Sequence, residues 1–170
     1  KVMIPTRTFE YLDILKEKFP KDDIFAKIVN GKWVKISVDE YIENSWNTAS
    51  GLLAKGYQPG DKIAVVCNNR PEWNYLDMGC TLARLVFVPV YTTLSDSEFL
   101  HVFNHSDSKL IVLGGKSLYN KLKPVIEKMD HHAGVMTIDD CGLAFSFDDL
   151  IALGKENRGR FDQLIEANKR

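Results

Sequence analysis

Two groups of residues in this 170-residue chain have types and spacings that could perform chemistry. The first is Gly114-Gly115-Lys116-Ser117, which follows an apolar run and opens a predicted helix, as a phosphate-binding loop does. Such a loop needs a glycine five residues before Gly115, but Leu110 stands there, inside the predicted strand. A plain turn between strand and helix is therefore favoured over phosphate binding.

The second group is a pair of histidines on a predicted helix. His101 and His105 are four residues apart, so both imidazoles lie on one helix face. A zinc-protease helix would carry glutamate next to the first histidine, but Val102 stands there. A metal site also needs a third ligand, and nothing nearby in sequence offers one. A solvated helix face is therefore favoured, and no metal ligand is predicted.

The remaining reactive side chains form no catalytic pattern. The sequence has no G-x-S-x-G elbow, no cysteine–histidine pairing and no G-x-G-x-x-G run after a strand, so it supports neither such a nucleophile nor a Rossmann dinucleotide site. Three cysteines without paired spacing indicate reduced thiols in a cytosolic protein. Carboxylates at turns and helix starts interact well with exposed amides, and this structural role is expected for the pairs Asp22-Asp23, Asp139-Asp140 and Asp148-Asp149.

Composition and charge are those of an ordinary globular chain. Hydrophobic residues make up 45% and charged residues 26% of the chain, and the formal net charge is −1. Lysines and arginines are scattered, so the basic patch of a nucleic-acid-binding protein is missing. No run approaches the ~20 apolar residues of a membrane span, and the first residues lack a signal-peptide core. We expect a cytoplasmic protein with at most peripheral membrane contact.

Short apolar runs recur along the chain at an interval that fits one strand plus one helix. They begin at Ile63, Val86, Leu110 and Val135, a spacing of 23 to 25 residues. Continuous apolar runs of this length are typical of parallel strands covered on both faces. Before them, two β-prone runs flank Asn30-Gly31, which favours a type I′ hairpin turn. The predicted fold is α/β, with a mostly parallel sheet, helices on both faces and an N-terminal β-hairpin.

Helix signals fill the intervals between the strands. Capping boxes at Ser37 and Ser95 start two helices, and Pro71 suits a first helical turn. Pro124 is expected to kink or divide a helix over residues 116–129. Pro89 inside a strand implies an edge, a bulge or a break. The other helices are predicted over residues 8–18, near 147–156 and, as a separate polar tail, over 161–170.

A binding site is expected at the carboxyl ends of the strands, where parallel α/β sheets bind their ligands. In this sequence the strand ends lie at residues 67–70, 91–93 and 114–116. Asparagine is also a common turn and capping residue, so Asn68 has a structural interpretation as well. The predicted substrate-cleft residues are Asn68, Tyr91, Thr92 and Thr93.

Two longer stretches resemble a known enzyme family. "NTASGLLAKGYQPGDKIAVVCNNRPEWNYLDMGC" followed by "VFVPVYTTLSDSEFLHVFNHSDSKLIVL" looks like the N-terminal part of the adenylate-forming (AMP-binding) superfamily, and most closely its long-chain fatty acid–CoA ligases. The pattern is followed over residues 33–113. The chain departs from it at Arg84, where the family usually has glycine, and at Thr92, where it has proline.

The resemblance implies ATP-dependent joining of a fatty acid to CoA. A carboxylate attacks the α-phosphate of ATP to give acyl-adenylate and pyrophosphate, and the CoA thiol then displaces AMP. The implied cofactors are ATP, Mg²⁺ and CoA, but the family's phosphate loop and later motifs do not occur in these 170 residues. We therefore assign no catalytic, cofactor-binding or metal residue, and expect an inactive piece that binds no cofactor tightly and tends to self-associate.

The expected domain organisation follows from the same resemblance. Residues 1–170 form the N-terminal portion of a large AMP-binding domain, itself part of a larger multi-subdomain body. Within it, residues 1–60 carry a helix, the hairpin and a helix, residues 61–140 carry the βαβ units, and residues 141–170 form a helical tail. The alternative is a stand-alone α/β module that binds a small molecule or a partner without catalysis.

Overall fold

The structure is a computed structural model that describes residues 5–169. Its helices are α1 (Glu10–Lys18), α2 (Val38–Ala54), α3 (Pro71–Leu82), α4 (Asp96–Ser106), α5 (Lys116–Ile126) and α6 (Phe147–Asn168). Its strands are β1 (Phe25–Val29), β2 (Lys32–Ile36), β3 (Lys62–Val66), β4 (Val86–Val90), β5 (Ser108–Leu113), β6 (Gly134–Thr137) and β7 (Phe145–Ser146). Among these residues no helix is long and apolar enough to cross a membrane.

Five strands form one parallel sheet with its core on both faces. The strand order is β4-β3-β5-β6-β7, and every neighbouring pair is parallel. Alternate residues of the central strands enter two separate apolar clusters: Ile63 lies in the cluster with α2, α3 and α6, and Ala64 lies in the cluster with α4 and α5. The α/β class with helices on both faces is thereby confirmed.

The N-terminal hairpin has the predicted turn. β1 and β2 pair antiparallel with Val29 opposite Lys32, so only two residues connect them. Both are left-handed, Asn30 at φ 50° and Gly31 at φ 74°, as a type I′ turn requires. Phe25 packs edge-on against Tyr41 of α2 at 5.1 Å between ring centroids, which fastens the hairpin to the helical layer.

The C-terminal third of the described chain differs from the prediction. One 22-residue helix, α6, replaces the two predicted helices, because the polar residues between them face solvent or pair across the helix surface, as Arg158 does with Asp162. α5 ends at Ile126, and Pro124 lies in its last turn without dividing it. β7 has two residues, too few for an alternation pattern, and was not predicted.

Glycines allow three helices to pack at very short range. α2 lies between α3 and α6, and a Cβ built at Gly79 of α3 would lie 2.5 Å from the Cγ2 of Thr48. On the other side of α2, a Cβ at Gly154 of α6 would lie within 3.0 Å of three backbone atoms of Asn47. Protein interiors cannot absorb such overlaps without moving backbone, so both positions require glycine.

Pro89 lies on the free edge of the sheet. β4 is the terminal strand, and Val86 donates its N–H to the carbonyl of Asp61 at 2.9 Å, towards β3. Successive residues of a strand alternate, so the nitrogen of Pro89, three residues later, faces away from β3. The proline costs the sheet no hydrogen bond, which agrees with the predicted edge and excludes a break.

Arg84 occupies the position at which α3 stops. Leu85 donates to the carbonyl of Cys80 at 2.8 Å and Arg84 donates to that of Thr81 at 3.2 Å, the two bonds of a Schellman motif. The motif requires a left-handed residue, usually glycine, and Arg84 adopts φ 59°. With arginine in place of the family's usual glycine, the turn is preserved, but the backbone of Arg84 is held in a strained left-handed conformation.

We expect the substitution Arg84→Gly to raise the free energy of unfolding by about 0.5–1 kcal/mol, because relief of the left-handed strain exceeds the added entropy of the unfolded chain. Arg84→Ala is the matched control and should bring no such gain, since it removes the same side chain but keeps a Cβ. Urea denaturation followed by circular dichroism measures both. Equal gains in the two variants would contradict the conformational explanation.

Candidate functional site

A groove runs along the carboxyl ends of β3, β4 and β5. It consists of two adjoining cavities, one of about 710 Å³ between β4 and the start of α3, and one of about 490 Å³ between β3, β5 and α5. Asn68, Asn69 and Thr92 line both cavities, so the two are continuous. We call this feature the strand-end groove; the volume of each cavity lies in the range of ligand sites.

Three of the four predicted cleft residues line this groove. Asn68 and Thr92 lie where the two cavities meet, and Tyr91 lines the first cavity with 82% of its surface exposed. Thr93 is exposed beside them and lies outside both cavities. That these residues contact substrate stays a prediction. Their placement agrees with the expectation that strand ends bring residues distant in sequence together.

An aromatic side chain, Trp73, forms part of the wall of the first cavity. Trp73 lies in the first turn of α3 and packs edge-on against Phe87 of β4, with 4.8 Å between centroids and 83° between planes. Trp73 stands at helical spacing with Leu76, Cys80 and Ala83, a pattern that predicts one apolar stripe on this helix. The structure adds a second role, because the same side chain lines the first cavity together with Pro89 and Val90.

The glycines before α5 form a plain turn, as predicted. β5 ends at Leu113 and α5 begins at Lys116, so two residues separate strand from helix and no phosphate-wrapping loop fits between them. A Cβ at Gly115 would lie 2.8 Å from the Oδ2 of Asp139, so the glycine lets this carboxylate approach the helix start. Lys116 and Ser117 are exposed on the rim of the second cavity.

Arg70 joins three of the turns that surround the groove. It precedes α3, and its Nη2 donates to Asp139 Oδ1 at 2.8 Å while Nη1 donates to the carbonyl of Gly114 at 3.2 Å. Its Nε donates to Glu72 Oε2 at 2.9 Å. The other oxygen of Glu72 accepts from Lys27 of the hairpin at 3.0 Å. Sequence reasoning missed this network, which links β1, α3 and the ends of β5 and β6.

The network shifts the pKa values of Glu72 and Arg70. Burial alone would raise the pKa of the Glu72 carboxyl, but hydrogen bonds from Arg70 and Lys27 outweigh it and hold the pKa at about 2. Burial alone would lower the pKa of Arg70, yet its bonds to Asp139 and Glu72 raise it above its usual value. Glu72 and Arg70 are therefore both charged at neutral pH.

The groove presents no activated nucleophile among the described cysteines and histidines. Burial raises the pKa of the Cys67 thiol to about 11, a shift that the nearby Arg70 opposes only in part, so the thiolate is scarce at neutral pH. Burial also raises the pKa of Cys80. His101 and His105 stack at 5.6 Å on the exposed face of α4, away from the groove.

Residues 16–157 match the family of AMP-binding enzymes. The chain belongs to that family. Among its relatives, a long-chain-fatty-acid–CoA ligase 5 of Rattus norvegicus is 31% identical over 143 residues, covering 74% of this chain and 20% of the rat protein. The fatty acyl-CoA synthetase A of Dictyostelium discoideum is 29% identical over 119 residues, covering 66% of this chain and 18% of that protein. This chain thus spans about a fifth of the length of the curated relatives it matches.

Solved structures show the same fold. A benzoate CoA ligase from Burkholderia xenovorans superposes with a TM-score of 0.68 at 21% identity, covering 85% of this chain and 28% of that one. The anthranilate CoA ligase AuaEII, solved with anthranoyl-AMP, gives 0.64 at 16% identity, covering 88% and 28%. The chain therefore has the fold of a segment of these two CoA ligases.

Proposed function

We propose that this chain is the N-terminal part of the large domain of an ATP-dependent long-chain fatty acid–CoA ligase in the cytoplasm. The observation that carries the proposal is the family match over residues 16–157, together with 31% identity to a long-chain-fatty-acid–CoA ligase. The reaction would form acyl-adenylate and pyrophosphate from a fatty acid and ATP, and then acyl-CoA and AMP.

The strand-end groove supports a scaffold and cleft role for this part of the enzyme. Its amide and hydroxyl side chains, Asn68, Asn69 and Thr92, offer hydrogen bonds beside the aromatic surface of Trp73. Lys116 adds a cation on the rim. Such a mixture suits a substrate with both polar and planar parts, and of the four predicted cleft residues we assign substrate contact to the three that line the groove, Asn68, Tyr91 and Thr92.

The described residues do not by themselves fit a triphosphate with Mg²⁺. Within residues 5–169 no group of three or more histidine, cysteine, aspartate or glutamate side chains could hold a metal ion. The two-residue turn before α5 is too short to wrap phosphate. We therefore propose that the groups activating ATP lie outside these 170 residues, and that the chain alone is inactive.

The proposal is tested by comparing this chain with any longer protein encoded by its natural reading frame. Both are assayed for palmitate-dependent release of AMP from ATP, with and without CoA. We expect activity in the longer protein alone. Acyl-CoA formation by the 170-residue chain would overturn the inactive-piece assignment, and silence in both would favour a binding module without catalysis.

In an active longer protein, Thr92→Trp is expected to lower kcat/KM for palmitate about tenfold or more, because the indole would fill the junction of the two cavities and misplace bound substrate. Thr93→Trp is the matched control, since residue 93 is exposed and outside both cavities. Steady-state kinetics measures both. Equal losses in the two variants would argue against a substrate path through the strand-end groove.

A further inference from the structure

One guanidinium holds three turns of the strand-end groove together. Arg70 belongs to the turn after β3, Gly114 to the turn after β5, and Asp139 to the segment after β6. The bonds that join them are 3.2 Å to the Gly114 carbonyl and 2.8 Å to the Asp139 carboxylate. Residues that are 44 and 69 positions apart in sequence are thereby fixed to one another.

The bonding of Arg70 leaves it poorly suited to bind a ligand. Its Nε, Nη1 and Nη2 each donate to a protein acceptor, and only a quarter of its side chain is exposed. An arginine that binds phosphate or carboxylate presents a free pair of N–H groups to the ligand. In Arg70 the guanidinium already donates to Glu72 on one side and to Asp139 on the other. The role of Arg70 is therefore to hold protein groups.

We infer that Arg70 is a positioning residue for the strand-end groove. It directly follows Asn68 and Asn69, which line both cavities, and it lines the second cavity itself. Among the described residues, the guanidinium supplies the side-chain hydrogen bonds between these three turns. Without it, the hydrogen bonds that remain between them are backbone bonds, such as that from Asp139 to the Gly114 carbonyl at 3.3 Å. The inference rests on the proposed function in one respect: it takes the strand-end groove as the substrate cleft.

Hydrogen exchange of single amides in the 170-residue chain tests this role without substrate. Two amides report on the turns: Gly114 donates to Val66 at 2.9 Å, and Asp139 donates to Gly114 at 3.3 Å. In Arg70→Met we expect Gly114 and Asp139 to exchange at least about tenfold faster relative to Val112 in the middle of β5, because the turns open locally. Arg70→Lys should restore part of the protection.

The control separates local opening from general loss of stability. Leu122→Ala creates a cavity in the apolar cluster that contains α4 and α5. It should speed the exchange of all amides together, so the exchange rates of Gly114 and Asp139 relative to that of Val112 should not change. If Arg70→Met does not fold, Asp139→Asn removes one partner at an exposed position and should open the same two amides to a smaller extent. A ratio unchanged in both Arg70→Met and Asp139→Asn would overturn the inference. Because no substrate is used, that result is independent of the activity assay.

Discussion

Gly154→Ala is expected to lower the free energy of unfolding by about 3 kcal/mol or more, the largest effect of any methyl-sized change considered for this chain. The new Cβ would overlap the backbone of Asn47, including its carbonyl oxygen, and backbone cannot turn aside as a side chain can. Relief requires α6 to move away from α2, which would also open the contact between Gly51 and Leu150 one turn earlier on α6.

Gly159→Ala provides the matched control in the same helix. Gly159 is exposed, and a Cβ there would meet nothing within 4 Å. Because alanine has the higher helix propensity, this variant should gain up to about 1 kcal/mol. Thermal and urea denaturation followed by circular dichroism measure both variants. A small loss in Gly154→Ala, or losses of the same size in both, would show that the helix crossing is looser than the structure indicates.

Glu72→Gln is expected to cost about 3 kcal/mol of stability at neutral pH and little at pH 2. The carboxyl has a folded pKa of about 2 against a usual 4.5, and each unit of difference corresponds to ~1.4 kcal/mol. A lowered folded pKa means that the ionised group stabilises the protein above pH 4.5 and that this contribution is lost as pH falls from there to about 2. The side chains of Glu72 and Arg70 are 10% and 25% exposed, so solvent screens this ion pair less than a surface pair.

The measurement is the free energy of unfolding in urea at several pH values between 2 and 7. The difference between the wild type and Glu72→Gln should shrink towards zero as pH falls. Glu127→Gln is the control, since Glu127 is exposed and has no ion pair within the described residues, and its difference should stay small at every pH. A difference for Glu72→Gln that does not change with pH would mean that lost packing, and not charge, accounts for the effect.

Local patterns were sufficient for most of the fold. The run beginning at Ile63 is continuously apolar, as is typical of a central strand, and it forms β3. The capping boxes at Ser37 and Ser95 start α2 and α4 as predicted. The prediction failed where local signals were weak. The polar residues around Gly159 look like a helix boundary, but α6 continues because its apolar residues Leu150, Phe161 and Ile165 are buried on the core side.

The site was predictable in position but not in its interactions. Parallel topology alone brings Asn68, Tyr91 and Thr92 to one edge of the sheet. The partners of Arg70 are set by strand order, which a single sequence does not specify, so nothing identified Asp139 as a member of the network. The one available signal was Arg70 in the short Cys-Asn-Asn-Arg turn between β3 and α3, because a half-buried charged group requires a partner.

The terminal strand of the sheet, V-F-V-P-V, bears on how this protein behaves at high concentration. An uncharged apolar strand with a free edge is the kind of segment on which identical chains stack into fibrils. At Pro89 the outward row of donors has a gap, and the ring would press against the carbonyl of any strand that tried to add there. Pro89 therefore opposes polymerisation through this edge at high protein concentration.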